Sequence, residues 1–289
     1  MEWLERMRHA LDRMERMVEE PFDMAEIAHA ACTSPYHFQR MFHMLTGMTV
    51  AEYMRKRKLT LAAQELAMGA AKVLDVSLKY GYESPESFAK AFRKAHGIAP
   101  SEAKSQGASL KAYPRISFHL SLKGDKEMDY RIVKKEAFKV IGKMIKVGTE
   151  NGENNRRIPA YWGECAADGT LARLAELSPG NPLLGICSMP PGEELLTYLV
   201  AVECDAKAET PEGCVSWTVP QATWAVFTSV GPVTPSIQRL WERIYSEWFP
   251  SCGYEHAPAP ELEVYPEGDT NAEDYRCEVW IPVVVASQS

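Results

Sequence analysis

The 289-residue sequence has no apolar run of membrane-spanning length. Its longest run, Leu195 to Val202, is interrupted by Thr197 and Tyr198, and a transmembrane helix needs about 20 apolar residues. No signal peptide is expected, since the stretch Glu2-Trp3-Leu4-Glu5-Arg6 carries three charges and reads as helix. No two cysteines stand close together. Cys32, Cys165, Cys187, Cys204, Cys214, Cys252 and Cys277 form an odd set, and their spacing fits neither a disulfide framework nor a zinc site. No loop has the glycine spacing that cradles a phosphate. Neither metal nor cofactor is therefore expected, and the expected compartment is a reducing cytoplasm, with no membrane partner. What remains is an ordinary globular balance, 46% hydrophobic and 25% charged, in a chain long enough for two domains.

Charge is unevenly distributed. Residues 1–103 carry 14 basic and 14 acidic side chains, residues 104–147 carry 11 and 4, and residues 148–289 carry 7 and 21. The overall −7 thus hides a neutral head, a basic middle and an acidic tail. Segments so different usually meet different partners.

The head contains an internal repeat. Ser34-Pro35-x-x-Phe38-x-x-x-Phe42 recurs as Ser84-Pro85-x-x-Phe88-x-x-x-Phe92, with Gly47 matching Gly97 and Glu52 matching Glu102. Upstream, Ile27-Ala28 matches Val76-Ser77, and Cys32 stands where the second copy has Gly81. Each copy reads as helix, tight turn, helix. Serine caps the second helix and proline takes its first position. Phe38, Met41 and Phe42 point inward in one copy; Phe88, Ala91 and Phe92 do so in the other. The opposite faces offer Tyr36, Gln39 and Arg40, and then Glu86, Ser87, Lys90, Arg93 and Lys94. Between the copies Val50 to Gly69 reads as a connecting helix with a basic run, Arg55-Lys56-Arg57-Lys58. About 20 residues at 1.5 Å each give roughly 30 Å, close to one turn of B-DNA. If the first turn needs a positive φ, Cys32 costs about 1 kcal/mol there.

Ser34-Pro35-Tyr36-His37-Phe38-Gln39-Arg40-Met41-Phe42, Glu52-Tyr53-x-Arg55-x-Arg57-Lys58-Leu59 and Tyr80-Gly81-Tyr82-Glu83-Ser84-Pro85-x-Ser87-Phe88-x-Lys90 together resemble the AraC/XylS family DNA-binding domain, over about residues 5–105. The resemblance implies that both second helices read double-stranded DNA in two adjacent major-groove segments. The DNA-facing residues it implies are Ser34, Tyr36, Gln39, Arg40 and Arg55, then Pro85, Glu86, Ser87, Lys90 and Lys94. Arginine forks to guanine and glutamine to adenine. Lys90 stands where arginine is usual and gives up that fork, while Glu86 repels phosphate, so the second reader is expected to be the weaker.

Residues 106–128 read as a linker with one short strand, Arg115 to Leu122. From Asp129 the period changes to strands. Tyr130 to Lys135 and Ala137 to Val147 read as a hairpin, followed by a helix (Thr170 to Leu177) and strands Leu183 to Met189 and Glu194 to Cys204. Strand Ala222 to Val230, helix Pro235 to Trp248 and strands Glu261 to Pro266 and Tyr275 to Val285 repeat the pattern. Strand-helix-strand-strand, twice, is an α+β layout with helices on one sheet face. On the last strand Cys277, Val279, Ile281 and Val283 share one face, Glu278 and Trp280 the other. A carboxylate beside an indole reads as a cation site, with Tyr161, Trp162, Tyr198, Trp217 and Trp224 as candidate walls.

Trp224-Ala225-Val226-Phe227-Thr228, Ile237-x-x-Leu240-Trp241-x-x-Ile244-Tyr245-x-x-Trp248-Phe249-Pro250 and Asp274-Tyr275-Arg276-Cys277-Glu278-Val279-Trp280-Ile281-Pro282 make this half resemble a GyrI-like effector-binding domain. The expected chain is thus multi-domain. An all-α N-terminal domain (1–105) carries two helix-turn-helix units, and an α+β GyrI-like domain (129–289) is built of duplicated strand-helix-strand-strand (SHS2) units. The expected function is a non-enzymatic transcription regulator taking a small cationic or amphipathic effector. Glu278, Trp280, Tyr161, Trp162, Tyr198 and Trp217 are its expected ligand-binding residues. Two alternatives stay open. One is a hydrolase with Glu278 as general base. The other is a DNA-binding protein whose second domain docks a protein partner such as RNA polymerase.

Overall fold

The computed structural model describes residues 2–69, 71–105, 107–117, 127–149, 153–189, 193 and 195–285. The chain divides into two compact units, Met1–Ser121 and Leu122–Ser289.

The first unit is helical: α1 (Glu2–Arg16), α2 (Met24–Ala30), α3 (Pro35–Thr46), α4 (Val50–Ala67), α5 (Val73–Lys79) and α6 (Pro85–His96). Both repeat copies begin their second helix as the sequence predicts. The Ser34 and Ser84 side chains accept from the amides of His37 and Ser87 at 3.2 and 3.1 Å, and proline follows each. Gly47 and Gly97 end the helices in the left-handed region, at φ 68° and 82°, which costs glycine nothing. Phe38, Phe42, Phe88 and Phe92 are fully buried. On α5 Val76 and Ser77 face inward, whereas Leu74 and Leu78, one turn apart, are exposed. Helix α4 opens on a reciprocal cap between Thr49 and Glu52, and its 18 residues span about 27 Å.

The first turn does need a positive φ. Cys32 adopts 53° where Gly81 adopts 80°. A left-handed L-residue costs about 1–2 kcal/mol, of which glycine's larger unfolded-state entropy returns part. Cys32→Gly is therefore expected to stabilise the helical unit by about 0.5–1 kcal/mol, read as a higher urea midpoint with an unchanged slope. An unchanged or lower midpoint would show that the turn is not strained.

The second unit is one antiparallel sheet with helices on one face. Its strands are β1 (Tyr130–Lys135), β2 (Phe138–Val147), β3 (Leu183–Ser188), β4 (Leu196–Glu203), β5 (Val215–Val219), β6 (Ala222–Val230), β7 (Tyr254–His256), β8 (Glu261–Tyr265) and β9 (Arg276–Val285). The order is β1-β6-β9-β8-β3-β4-β2-β5, with β7 on β9. Helices α7 (Glu153–Ala167) and α8 (Thr170–Leu177) pack on β2, β3 and β4, and α9 (Val233–Arg243) packs on β6 and β9. A π-helical stretch, Ile244–Trp248, continues α9.

Three sequence-based expectations change here. β1 and β2 do not form a hairpin: β1 pairs with β6, and β2 with β4 and β5. Glu136 and Ala137 lack the glycine or asparagine that a two-residue turn requires, so the chain runs on as one bent strand. The register agrees, since Lys135 faces Ala222 and Phe138 faces Val219, one uninterrupted ladder. That ladder curls the sheet. Two linking residues span at most about 11 Å, yet six strand steps in a flat sheet would be about 29 Å. Helix α7 escapes the sequence pattern because Pro159 lies inside it, a residue that normally ends a helix. Of the short strand expected at Arg115 to Leu122, residues 115–117 form neither helix nor strand and the remainder lies outside the described residues.

Candidate functional site

The two second helices of the helical unit present different surfaces. On α6 Pro85, Glu86, Ser87, Lys90 and Lys94 are exposed, as expected. On α3 Ser34, Gln39 and Arg40 are half-buried, and Tyr36 departs from its expected exposed position at 6% exposure. Its hydroxyl accepts from Arg40 Nη1 at 3.0 Å. The two residues are one helical turn apart, which brings their side chains together. The basic run on α4 is mostly committed elsewhere. Arg57 pairs with Glu15 at 2.7 Å, the Lys56 ammonium lies 5.0 Å from the Tyr113 ring centre, and burial pushes Lys58 below the usual lysine range. Arg55 is the member left exposed.

In the sheet unit, alternation sorts the polar residues onto two faces. Cys277, Val279, Ile281 and Val283 are buried, with Glu278 and Trp280 half-buried between them. Arg131 Nη2 donates to both Glu278 oxygens at 2.8 and 2.9 Å, and Trp280 Nε1 donates to Oε2 at 2.9 Å. Trp280 also packs edge-on against Trp224, and both belong with Trp217 to the apolar cluster on the face away from the helices. Glu278, Trp280 and Trp217 therefore share one face.

Trp162 and Tyr198 lie on the other. Trp162 Nε1, on α7, donates to the Tyr198 hydroxyl at 2.7 Å. Tyr161 is buried beside Lys143 and Arg157, whose charges lie 5.9 and 5.4 Å from its ring centre. At the β3–β8 junction, where the two repeats meet, Gly185 faces Glu263. A Cβ on Gly185 would come within 2.4 Å of the Tyr198 hydroxyl and 3.3 Å of a Glu263 oxygen. The missing side chain makes room for both groups to converge. Glu263 accepts from Trp241 Nε1 on α9 at 3.1 Å and from the Tyr265 hydroxyl at 3.0 Å. Burial, with the Glu263 charge adding to it, pushes the Tyr265 hydroxyl well above the usual phenol range, which keeps it a donor. Trp162 stands edge-on to Tyr265, ring centres 5.2 Å apart. Each repeat's helix thus brings one tryptophan to this cluster, Trp241 onto the carboxylate and Trp162 onto Tyr198 and Tyr265. Two residues back along β8, on the same face, Glu261 is 3% exposed and accepts from Tyr245 at 3.1 Å, with His256 Nε2 3.2 Å from the same oxygen. Tyr245 belongs to the π-helical stretch and stacks between Trp241 and Phe249.

Sequence reasoning missed Glu263. The signal was Glu261-x-Glu263-x-Tyr265 with Leu262 and Val264 between: three polar residues on one face of a strand whose other face is apolar.

The family described as integron-associated effector binding protein matches residues 131–283, and a helix-turn-helix domain family matches residues 27–106. The chain belongs to both: an AraC-type DNA-binding domain joined to a GyrI-like effector-binding domain. The AraC-type half is 41% identical over 76 residues to the transcriptional activator AarP of Providencia stuartii, covering 26% of this chain and 56% of AarP. It is 30% identical over 92 residues to the regulatory protein SoxS of Salmonella typhimurium, covering 32% of this chain and 86% of SoxS. The chain thus spans little more than half of AarP. The effector-binding half shares its fold with SAV2435, solved bound to tetraphenylphosphonium: TM-score 0.50 and 24% identity, covering 54% of this chain and 94% of that one.

Proposed function

We propose that the protein is a transcription regulator that reads two adjacent major-groove segments through α3 and α6 and takes a lipophilic cation over Glu263. The observation that carries the effector half is the Glu263 carboxylate set among Trp162, Trp241, Tyr198 and Tyr265. A carboxylate supplies the charge and aromatic faces supply dispersion and cation–π attraction, which together favour a large, weakly hydrated cation over a small one. The tetraphenylphosphonium bound to SAV2435 has this chemistry. Glu278 already holds Arg131 and Trp280 on the opposite face, so the reading puts the effector's counter-charge on Glu263.

DNA reading rests on the exposed polar face of α6 and on Gln39 and Arg40 of α3. The effector changes transcription only if it binds the DNA-competent arrangement with a different affinity from the others. The test is duplex binding after selection from a random library, with and without tetraphenylphosphonium. A DNA affinity that ignores the cation would remove the effector role. Arg40→Ala is expected to cost about 1–3 kcal/mol and to relax preference at one base pair. Affinity and preference both unchanged would move the reading face elsewhere.

A further inference from the structure

Beyond α6 the chain does not leave the helical unit at once. Residues 111–116, which form neither helix nor strand, lie across three of its helices. The Lys111 amide donates to His96 Nδ1 at 3.3 Å, the Tyr113 amide to Thr60 Oγ1 at 3.0 Å, and the Ile116 amide to the Tyr53 hydroxyl at 3.3 Å. Arg57 Nη1 donates to the Tyr113 carbonyl at 2.8 Å, Lys56 lies over the Tyr113 ring, and Arg115 pairs with Asp12 of α1.

The three acceptors are buried, at 4%, 3% and 2% exposure. Each is aimed by a second bond of its own. His96 Nε2 contacts the Leu59 carbonyl at 3.1 Å, the Thr60 hydroxyl donates to the Lys56 carbonyl at 2.9 Å, and the Tyr53 hydroxyl donates to Glu15 at 2.6 Å. With the proton of each group committed to the helices, its lone pair is left for the segment. For His96 this fixes the neutral tautomer with hydrogen on Nε2. A surface that happened to touch a passing chain would not orient three buried acceptors toward three backbone amides within six residues. These helices thus form a receptor for a peptide segment, occupied by the chain's own residues.

The receptor spans α1, α4 and α6. Helix α4 is the spacer between the two reading helices, and α6 is one of them. We propose that residues 111–116 are a positioning strap whose docking holds α6 and α4 in the DNA-reading arrangement, so that docking and DNA binding favour one another. The strap is also the stretch of chain through which the effector unit follows in sequence. Its side chains other than Tyr113 and Ile116 are exposed, so release exposes little apolar surface and lets water take over the amides and acceptors.

The inference rests on the DNA-reading role proposed above, and the test separates the two. Amide exchange of the full chain is measured with and without a selected duplex, for wild type and for Thr60→Val, which keeps the shape of the side chain and removes the acceptor. Duplex is expected to slow exchange at Tyr113 about tenfold. Thr60→Val is expected to speed exchange there and to weaken DNA binding about fivefold, the value of one lost hydrogen bond. It should do so at temperatures where circular dichroism shows the helices intact, and Thr60→Ser, which restores an acceptor, should recover the affinity. Exchange at Tyr113 indifferent to duplex, or Thr60→Val binding duplex as well as wild type, overturns the strap. Arg40→Ala then reports on the reading face separately, because it lies outside the receptor. A wild-type chain that binds no duplex removes the DNA reading and the strap with it.

Discussion

Glu263→Gln is expected to weaken tetraphenylphosphonium binding at least about thirtyfold, about 2–4 kcal/mol, while leaving duplex affinity in the absence of cation unchanged. Glutamine keeps the volume and one acceptor oxygen for Trp241 Nε1, while its NH2 replaces the oxygen that faces the Tyr265 hydroxyl, which can turn to accept. What goes is the full charge, in a place where Trp162, Tyr198 and the two helices reduce solvent screening. Titration followed by indole fluorescence measures it, since Trp241 donates to the carboxylate and Trp162 stands edge-on to its partner Tyr265. Glu278→Gln is the comparison. It breaks an Arg131 pair whose partners are 51% and 25% exposed, so it should cost about 0.5–1 kcal/mol of sheet stability and leave cation affinity within about twofold. The reverse outcome, with Glu278→Gln the damaging change, would return the effector to the face away from the helices.

That contrast marks where the sequence is legible. The helix-turn-helix repeat can be read because each copy carries its own caps, Ser34-Pro35 and Ser84-Pro85, and its own stops, Gly47 and Gly97, all local chemistry. Strand alternation near the C-terminus is equally local, and the faces assigned to residues 277–283 match those observed. Which face meets the helices is not local. It depends on how β8 and β3 are brought side by side, and no spacing within either strand encodes that. Glu278 stood out because an indole follows two residues later, whereas Glu263 lies in a short segment whose partners, Trp162, Tyr198 and Trp241, come from three other elements. The hairpin misreading has the same origin. Two adjacent strand patterns look like a pair until the register with residues 215–230 shows each of them paired elsewhere. The α4 basic run shows the limit from another side. Four consecutive cations mark a connecting helix of which only Arg55 is assigned to DNA, and Arg57 sits at 12% side-chain exposure on Glu15.

Glu15→Gln is expected to destabilise the helical unit by about 2–3 kcal/mol at neutral pH, and much less in acid. Burial raises the Glu15 carboxyl, but hydrogen bonds from Arg57 and then Tyr53 outweigh it and hold the group below the usual carboxylate range. A depressed folded-state value means that the unfolded chain takes up its proton first. The contribution is therefore complete above the unfolded value, near 4.5, and is lost as pH falls through the folded one. The pair's side chains are 12% and 15% exposed, so partial screening keeps the loss below the about 3–5 kcal/mol of a fully buried pair. Exchange of the α4 amides under mild urea, at pH 7 and again near pH 3, gives the comparison. The gap between wild type and variant should narrow in acid, after correction for the intrinsic rate. An equal gap at both values would mean that the carboxyl contributes by shape and not by charge. The effect reaches further than α1 and α4. Tyr53 gives its proton to Glu15 and its lone pair to the Ile116 amide, so an uncharged residue at position 15 frees that hydroxyl to turn, and the strap should loosen at Ile116 before it does at Tyr113.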